Sequence, residues 1–63
     1  MLEQERLREQ FQALLDQEQQ ALAVYTELAD KVQDPRLRDQ VEELRRDKQR
    51  HVELTERLLE IVD

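Results

Sequence analysis

This chain of 63 residues has no Cys, no Gly and no Trp, and it has one residue each of Pro, Tyr and Phe. Without Cys it forms no disulfide and no thiolate metal site. With no Gly and one Pro, it has almost none of the residues that make turns and hairpin loops. A chain this short forms one thin domain at most, and such domains are often stabilised by metals or by association.

The chain also lacks the features of several functional classes. Its net charge is −6, whereas phosphate binding requires a basic stripe, so we expect no nucleic-acid partner. No apolar run approaches the roughly 20 residues of a membrane span, and the N-terminus has no signal-peptide core. We find no nucleophile–base pair, phosphate loop or cofactor motif. We therefore expect a soluble, cytoplasmic protein without a membrane partner, in which catalysis without a metal is not expected.

The residues that are present favour long helices. Charged residues make up 41% of the chain, alongside many Gln, Leu and Ala. The only break is the stretch "KVQDPRLRD", in which Asp34 is a good N-cap and Pro35 suits the first helical position. We predict one domain over residues 1–63, with helix 1 at about 3–32, a turn at 33–34 and helix 2 at about 35–62. A connection this short predicts an antiparallel hairpin.

Both helices carry a seam whose residues alternate between spacings of four and three, the 3.5-residue repeat of a left-handed bundle. The first seam is Leu7, Phe11, Leu14, Glu18, Ala21, Tyr25, Leu28 and Val32, and the second is Leu37, Val41, Leu44, Lys48, His51, Thr55, Leu58 and Val62. Leu15, Leu22, Ala29, Val52 and Leu59 flank the seams and make each stripe wider than one partner helix can cover. We therefore predict an all-α fold in which the antiparallel two-helix hairpin dimerises with a second copy into a four-helix bundle, with higher oligomers left open.

Three ionisable residues interrupt the seams. If positions paired across the hairpin sum to about 69, Glu18 faces His51 and Lys48 faces Ala21, and a slip of one turn leaves these groups near one another. An unpaired buried charge costs several kcal/mol, so we expect Glu18 to accept from Lys48 and from protonated His51. The hydroxyls of Thr55 and Tyr25 can form the hydrogen bonds that these three groups do not make with one another. The predicted buried polar network is Glu18, Tyr25, Lys48, His51 and Thr55.

These residues carry a resemblance to a known family. Glu18, followed seven residues later by Tyr25 with Ala21 between them, resembles the first helix of a rubrerythrin-type ferritin-like half-bundle. In "RDKQRH" the second helix is similar to that family's Asp-Glu-x-x-His segment, whose carboxylate would fall on residue 48. The chain is also similar in size and hairpin form to the ferritin-like proteins stored in encapsulin shells. The resemblance implies a ferritin-like bundle with a di-iron site at a subunit interface, made from a Glu on helix 1 and a Glu-x-x-His on helix 2.

The sequence departs from the family pattern at one of the metal-ligand positions. Lys48 stands where the family has a carboxylate, and a protonated Lys has no lone pair for a metal and repels a cation. Glu18 and His51 remain as candidate metal ligands. Two hairpins would offer two Glu and two His, which suffice for one four-coordinate ion but not for a carboxylate-rich pair of irons.

Three hypotheses follow. We favour a non-enzymatic homo-oligomer with an interaction or assembly role, a charge-compensated centre, no cofactor and an unidentified protein partner. The second is a protein that binds iron or another divalent metal through Glu18 and His51 from two subunits, with weak ferroxidase activity. The third is a pH-responsive bundle in which His51 changes its charge at the interface.

Overall fold

The fold is a hairpin of two long helices. The computed structural model describes residues 2–62, with side chains from residue 3 onward; Met1 and Asp63, which the predicted domain includes, lie outside the described residues. Helix α1 spans Leu2–Lys31 and helix α2 spans Pro35–Val62, joined by residues 32–34. The Gln4 side chain near the start of α1 donates to the backbone carbonyl of Val62 at the end of α2, at 3.1 Å. The helices are therefore antiparallel, in a rod of about 51 × 14 × 11 Å.

Asp34 ends the connection and starts α2. Its Oδ1 accepts from the backbone N–H of Arg36 at 2.9 Å and of Leu37 at 3.4 Å, and its carbonyl accepts the first helical bond from Arg38. These bonds satisfy donors that the first turn of a helix leaves without partners, and Pro35 has no N–H to satisfy. Asp34 and Pro35 thus have the capping roles that the sequence predicts.

The interface between the helices differs from the predicted seams. Most buried or half-buried positions still alternate by four and three, but they run Phe11, Leu15, Glu18, Leu22, Tyr25 and Ala29 on α1 with Val32 just after it, and Val41, Arg45, Lys48, Val52, Thr55, Leu59 and Val62 on α2. Ala21 and Glu42 are half-buried outside this alternation. Half of each predicted seam is therefore present, and the flanking residues, together with Arg45 on α2, replace the other half. The reason is that one partner helix covers only one edge of a stripe this wide.

The predicted seam leucines that lie outside the interface between α1 and α2 share a single exposed face. Leu7, Leu14 and Leu28 on α1 and Leu37, Leu44 and Leu58 on α2 keep 40–52% of their surface in solvent. These six leucines occupy the same position of the seven-residue repeat on both helices. Two antiparallel helices are related by an approximate two-fold axis normal to the plane that contains them, so the same repeat position falls on the same side of that plane in both helices. Val24, Leu54 and Ile61 occupy the neighbouring position on the same side. We call this set, with Ala21 and His51, the leucine face.

The opposite side of the hairpin is polar. Its exposed positions carry mainly Gln, Asp, Glu and Arg, among them Gln12, Asp16 and Gln19 on α1 and Arg46 and Glu53 on α2. Among residues 3–62, all nine large apolar residues with at least 40% exposure lie on the leucine face. One broad side of the rod thus carries the large exposed apolar side chains, and the other is polar.

The core of the hairpin is thin. Among the residues described, Leu15, Ala29, Val41, Val52 and Thr55 are buried, at 4–9% exposure, and no large side chain is fully enclosed. Neither α1 nor α2, as described, contains a stretch apolar and long enough to cross a membrane. The hairpin therefore leaves more large apolar side chains exposed than it buries.

Candidate functional site

The three ionisable residues of the predicted seams meet at mid-length of the rod. Glu18 lies on the side of α1 that faces α2, with 16% of its side chain exposed. Lys48 lies opposite it on α2 with 27% exposed, and His51 follows one turn later with 51% exposed. Spacings of three and four along one helix place side chains on one face, which is why Lys48 and His51 both reach Glu18.

One carboxylate oxygen serves both cations. Glu18 Oε2 lies 3.2 Å from Lys48 Nζ and 3.4 Å from His51 Nδ1. Neither contact has the angles of a hydrogen bond, and this oxygen is buried. The Lys48 ammonium compensates the Glu18 charge directly, whereas His51 contributes a charge only when it is protonated. Glu18 thus lies beside Lys48 and His51 within one hairpin, but without the hydrogen bonds that the sequence predicts.

The register that produces these contacts is one turn away from the symmetric pairing assumed from the sequence. That pairing placed Glu18 opposite His51 and Lys48 opposite Ala21. The Glu18–Lys48 contact and the Gln4–Val62 bond instead pair residues whose numbers sum to 66. The cluster survives the shift because His51 is one turn beyond Lys48 on the same face.

Thr55 and Tyr25 do not complete the network. Thr55 is buried in the interface, but its hydroxyl donates to the backbone carbonyl of His51 at 2.7 Å and not to Glu18. Tyr25 is half-buried two turns after Glu18, and within residues 3–62 its hydroxyl makes no hydrogen bond to the cluster. The structure therefore brings together Glu18, Lys48 and His51, and it places Thr55 and Tyr25 in the adjacent packing.

The cluster does not fit a metal ion within one hairpin. Among residues 3–62, no three His, Asp or Glu side chains come together in a group that could hold a metal. Glu18 and His51 supply two donors, and the Lys48 ammonium lies 3.2 Å from the same carboxylate oxygen. A cation bound at that oxygen would be repelled by Lys48 unless the Lys48 side chain moved.

A second ion pair lies within α2. Arg45 donates to both carboxylate oxygens of Glu42, at 3.1–3.3 Å. The hydrogen bonds from Arg45 lower the pKa of Glu42, aided by the positive charges of Arg45, Arg46 and Arg38, while desolvation acts in the opposite direction. Carboxylates that accept bidentate bonds from a guanidinium are held in their charged form.

The leucine face is the other candidate site. The seams predicted from the sequence include six of its leucines but not Val24, Leu54 and Ile61, which are 46–78% exposed. A signal was available, because each of the three follows a seam residue by three positions, namely Ala21, His51 and Leu58. His51 belongs to both sites, since it contacts Glu18 and is itself exposed on the leucine face.

Comparisons with known proteins add no assignment. No family model matches the chain, and no curated protein or solved structure matches it either. The ferritin-like resemblance therefore stays a prediction that depends on the motif residues alone.

Proposed function

We propose that this protein is a non-enzymatic helical hairpin that associates with a second copy into a four-helix bundle and serves an interaction or assembly role. The observation that carries this proposal is the leucine face, where nine large apolar side chains remain 40–78% exposed on one side of the rod. Soluble monomers rarely expose a contiguous apolar patch of more than a few hundred Å². A face with this composition therefore favours an interface.

The free energy available from covering this face is sufficient for association. Complete burial of a Leu or Val side chain stabilises by about 2 kcal/mol, so covering the exposed half contributes about 1 kcal/mol for each residue. Nine such residues on each of two copies exceed the loss of translational and rotational freedom, which costs roughly 4–15 kcal/mol. The seven-residue period of the face also suits a bundle of four helices.

The Glu18–Lys48–His51 cluster has a structural role in this proposal. An ion pair at mid-length that is largely shielded from solvent favours one register over slipped ones, because a slip would leave Glu18 without its cation. The ferritin-like fold and a former metal centre remain part of the proposal through the resemblance of the motif residues. Lys48 then replaces the metal as the positive charge beside Glu18.

Substitution at the centre of the leucine face tests this function. We expect wild-type protein to sediment as a dimer and Leu44→Glu to weaken dimerisation by at least tenfold, because a carboxylate would be buried in the interface. Gln20→Glu adds the same charge at an exposed position of α1 outside the leucine face and should leave the dissociation constant nearly unchanged. A wild-type monomer at all concentrations in analytical ultracentrifugation, or equal association of Leu44→Glu, would refute the proposal.

Metal binding by Glu18 and His51 of two subunits is the second candidate. Its support is the buried Glu18 oxygen that makes no hydrogen bond and lies beside His51 Nδ1. Elemental analysis after loading with ferrous iron, beside a Glu18→Gln, His51→Ala variant, separates the two candidates. Stoichiometric metal that the variant loses would replace the structural role by iron binding.

A further inference from the structure

We propose that the second copy packs with its turn at the opposite end of the bundle, so that the two-fold axis crosses the rod at mid-length. This inference rests on the proposed association through the leucine face. In this arrangement α1 packs antiparallel against α1 of the second copy, and α2 packs against α2. The alternative places the axis along the rod, with both turns at one end and α1 against α2 of the second copy.

The distribution of charge along the rod favours opposite ends. The half that contains the helix ends opposite the turn, residues 3–16 and 51–62, carries seven Asp and Glu against three Arg. The half that contains the turn, residues 17–50, carries eight against seven. Turns at the same end would place two strongly acidic halves side by side, whereas turns at opposite ends place each acidic half beside a nearly neutral one.

Charges along the edge of the leucine face point the same way. Full overlap of the two faces places the axis near residues 17 and 18 of α1 and near residue 48 of α2. Glu3 then lies within one residue of the level of Lys31 in the second copy, and Glu43 lies near the level of Arg50. These attractions number four by symmetry, against two meetings of Arg36 with Arg57 and one of Asp47 with its own copy near the axis, where Arg50 of the same helix lies 2.8 Å from each Asp47. With both turns at one end, Glu3 has no cation at its level.

The packing of the face also favours a crossed axis. Each copy of α1 would place Leu14 against Ala21 of the second copy, a large residue against a small one. On α2, His51 would lie against Leu44, so each imidazole contacts a leucine. The alternative gathers both His51 and both Leu14 side chains in one layer, and both Ala21 and both Leu44 side chains in another. The crossed axis instead gives each of these layers one Ala21, so the volumes of the layers are more even.

Distances between spin labels test the orientation directly, and the chain has no native Cys to interfere. Gln33 is exposed in the connection between the helices. A crossed axis separates the two copies of a label at Gln33→Cys by about 45 Å along the rod, at 1.5 Å per residue. The alternative brings them within about 30 Å, set by the width of the bundle. A label at the exposed Gln20→Cys is the matched control, because it lies near mid-length and gives a short distance in both arrangements.

The outcomes separate this inference from the proposed function. A long distance at Gln33→Cys with a short one at Gln20→Cys, measured by double electron–electron resonance, supports the crossed axis. Short distances at both sites overturn it while leaving the homodimer intact. An absence of intermolecular coupling at both sites means that no dimer forms, and the proposed function then fails together with the orientation.

Discussion

Removal of the Lys48 charge gives the most direct test of the ion-pair centre. Lys48→Met keeps most of the apolar stem but leaves Glu18 with His51 as its remaining ionisable neighbour. Breaking a fully buried pair costs about 3–5 kcal/mol, and an exposed pair is worth about 0–1 kcal/mol. With 16% of Glu18 and 27% of Lys48 exposed, we expect a loss of about 2 kcal/mol in the free energy of unfolding.

The matched control is another lysine in an ion pair. Lys31 lies 2.8 Å from Glu27, but 69% and 65% of these side chains are exposed. Lys31→Met should therefore cost no more than about 0.5 kcal/mol. Urea unfolding followed by circular dichroism, at one fixed protein concentration, measures both variants.

A double variant completes the experiment. Replacing both partners, as in Glu18→Leu with Lys48→Met, removes the buried carboxylate together with its cation. We expect stability to return to the wild-type value or to exceed it, because a well-packed apolar pair avoids the cost of desolvating two charges. Equal losses for Lys48→Met and Lys31→Met, or no recovery in the double variant, would show that Glu18 is not dependent on Lys48.

Two further predictions concern α2. Asp34→Ala removes the cap from Arg36 and Leu37 and should cost about 1 kcal/mol in urea unfolding, whereas Asp34→Asn retains an acceptor and most of the stability. Glu42 has a lowered pKa in the folded chain, so the unfolded chain takes up the proton first. Its stabilising contribution is thus complete above the ordinary glutamate pKa of about 4.3 and is lost as the pH falls through the lowered pKa. In Arg45→Gln the Glu42 pKa, followed by NMR titration, should rise toward its ordinary value, and an unchanged pKa would contradict the assignment of Arg45 as its cause.

The helices and the turn were predictable because their signals are local. Asp34 and Pro35 mark the start of α2 through capping and backbone geometry, which act within a few residues. The meeting of Glu18, Lys48 and His51 was also predictable. Alternate spacings of three and four place them on facing stripes, and a slip of one turn does not separate them.

The position of the interface within each stripe was not predictable from the pattern alone. Leu14 and Leu15 are adjacent in sequence and equally apolar, yet Leu15 is 7% exposed and Leu14 is 40% exposed. A rotation of α1 by a fraction of a turn exchanges them, and this rotation depends on how both helices pack along their whole length. The partner of the Thr55 hydroxyl was not predictable either, because it donates to the backbone carbonyl of His51 in its own helix and not to Glu18.

The connection of residues 32–34 has a consequence for the order in which the hairpin forms. Every contact between α1 and α2 closes a loop around Asp34, and the loops lengthen steadily toward the free ends, reaching 58 residues of separation at the Gln4–Val62 bond. Closure that begins at the capped turn adds only a short segment at each step, so the entropy lost at each step stays small. The same order runs backward when the hairpin opens. Fraying begins where the termini meet, reaches the Glu18–Lys48 pair halfway, and releases the Asp34 cap last.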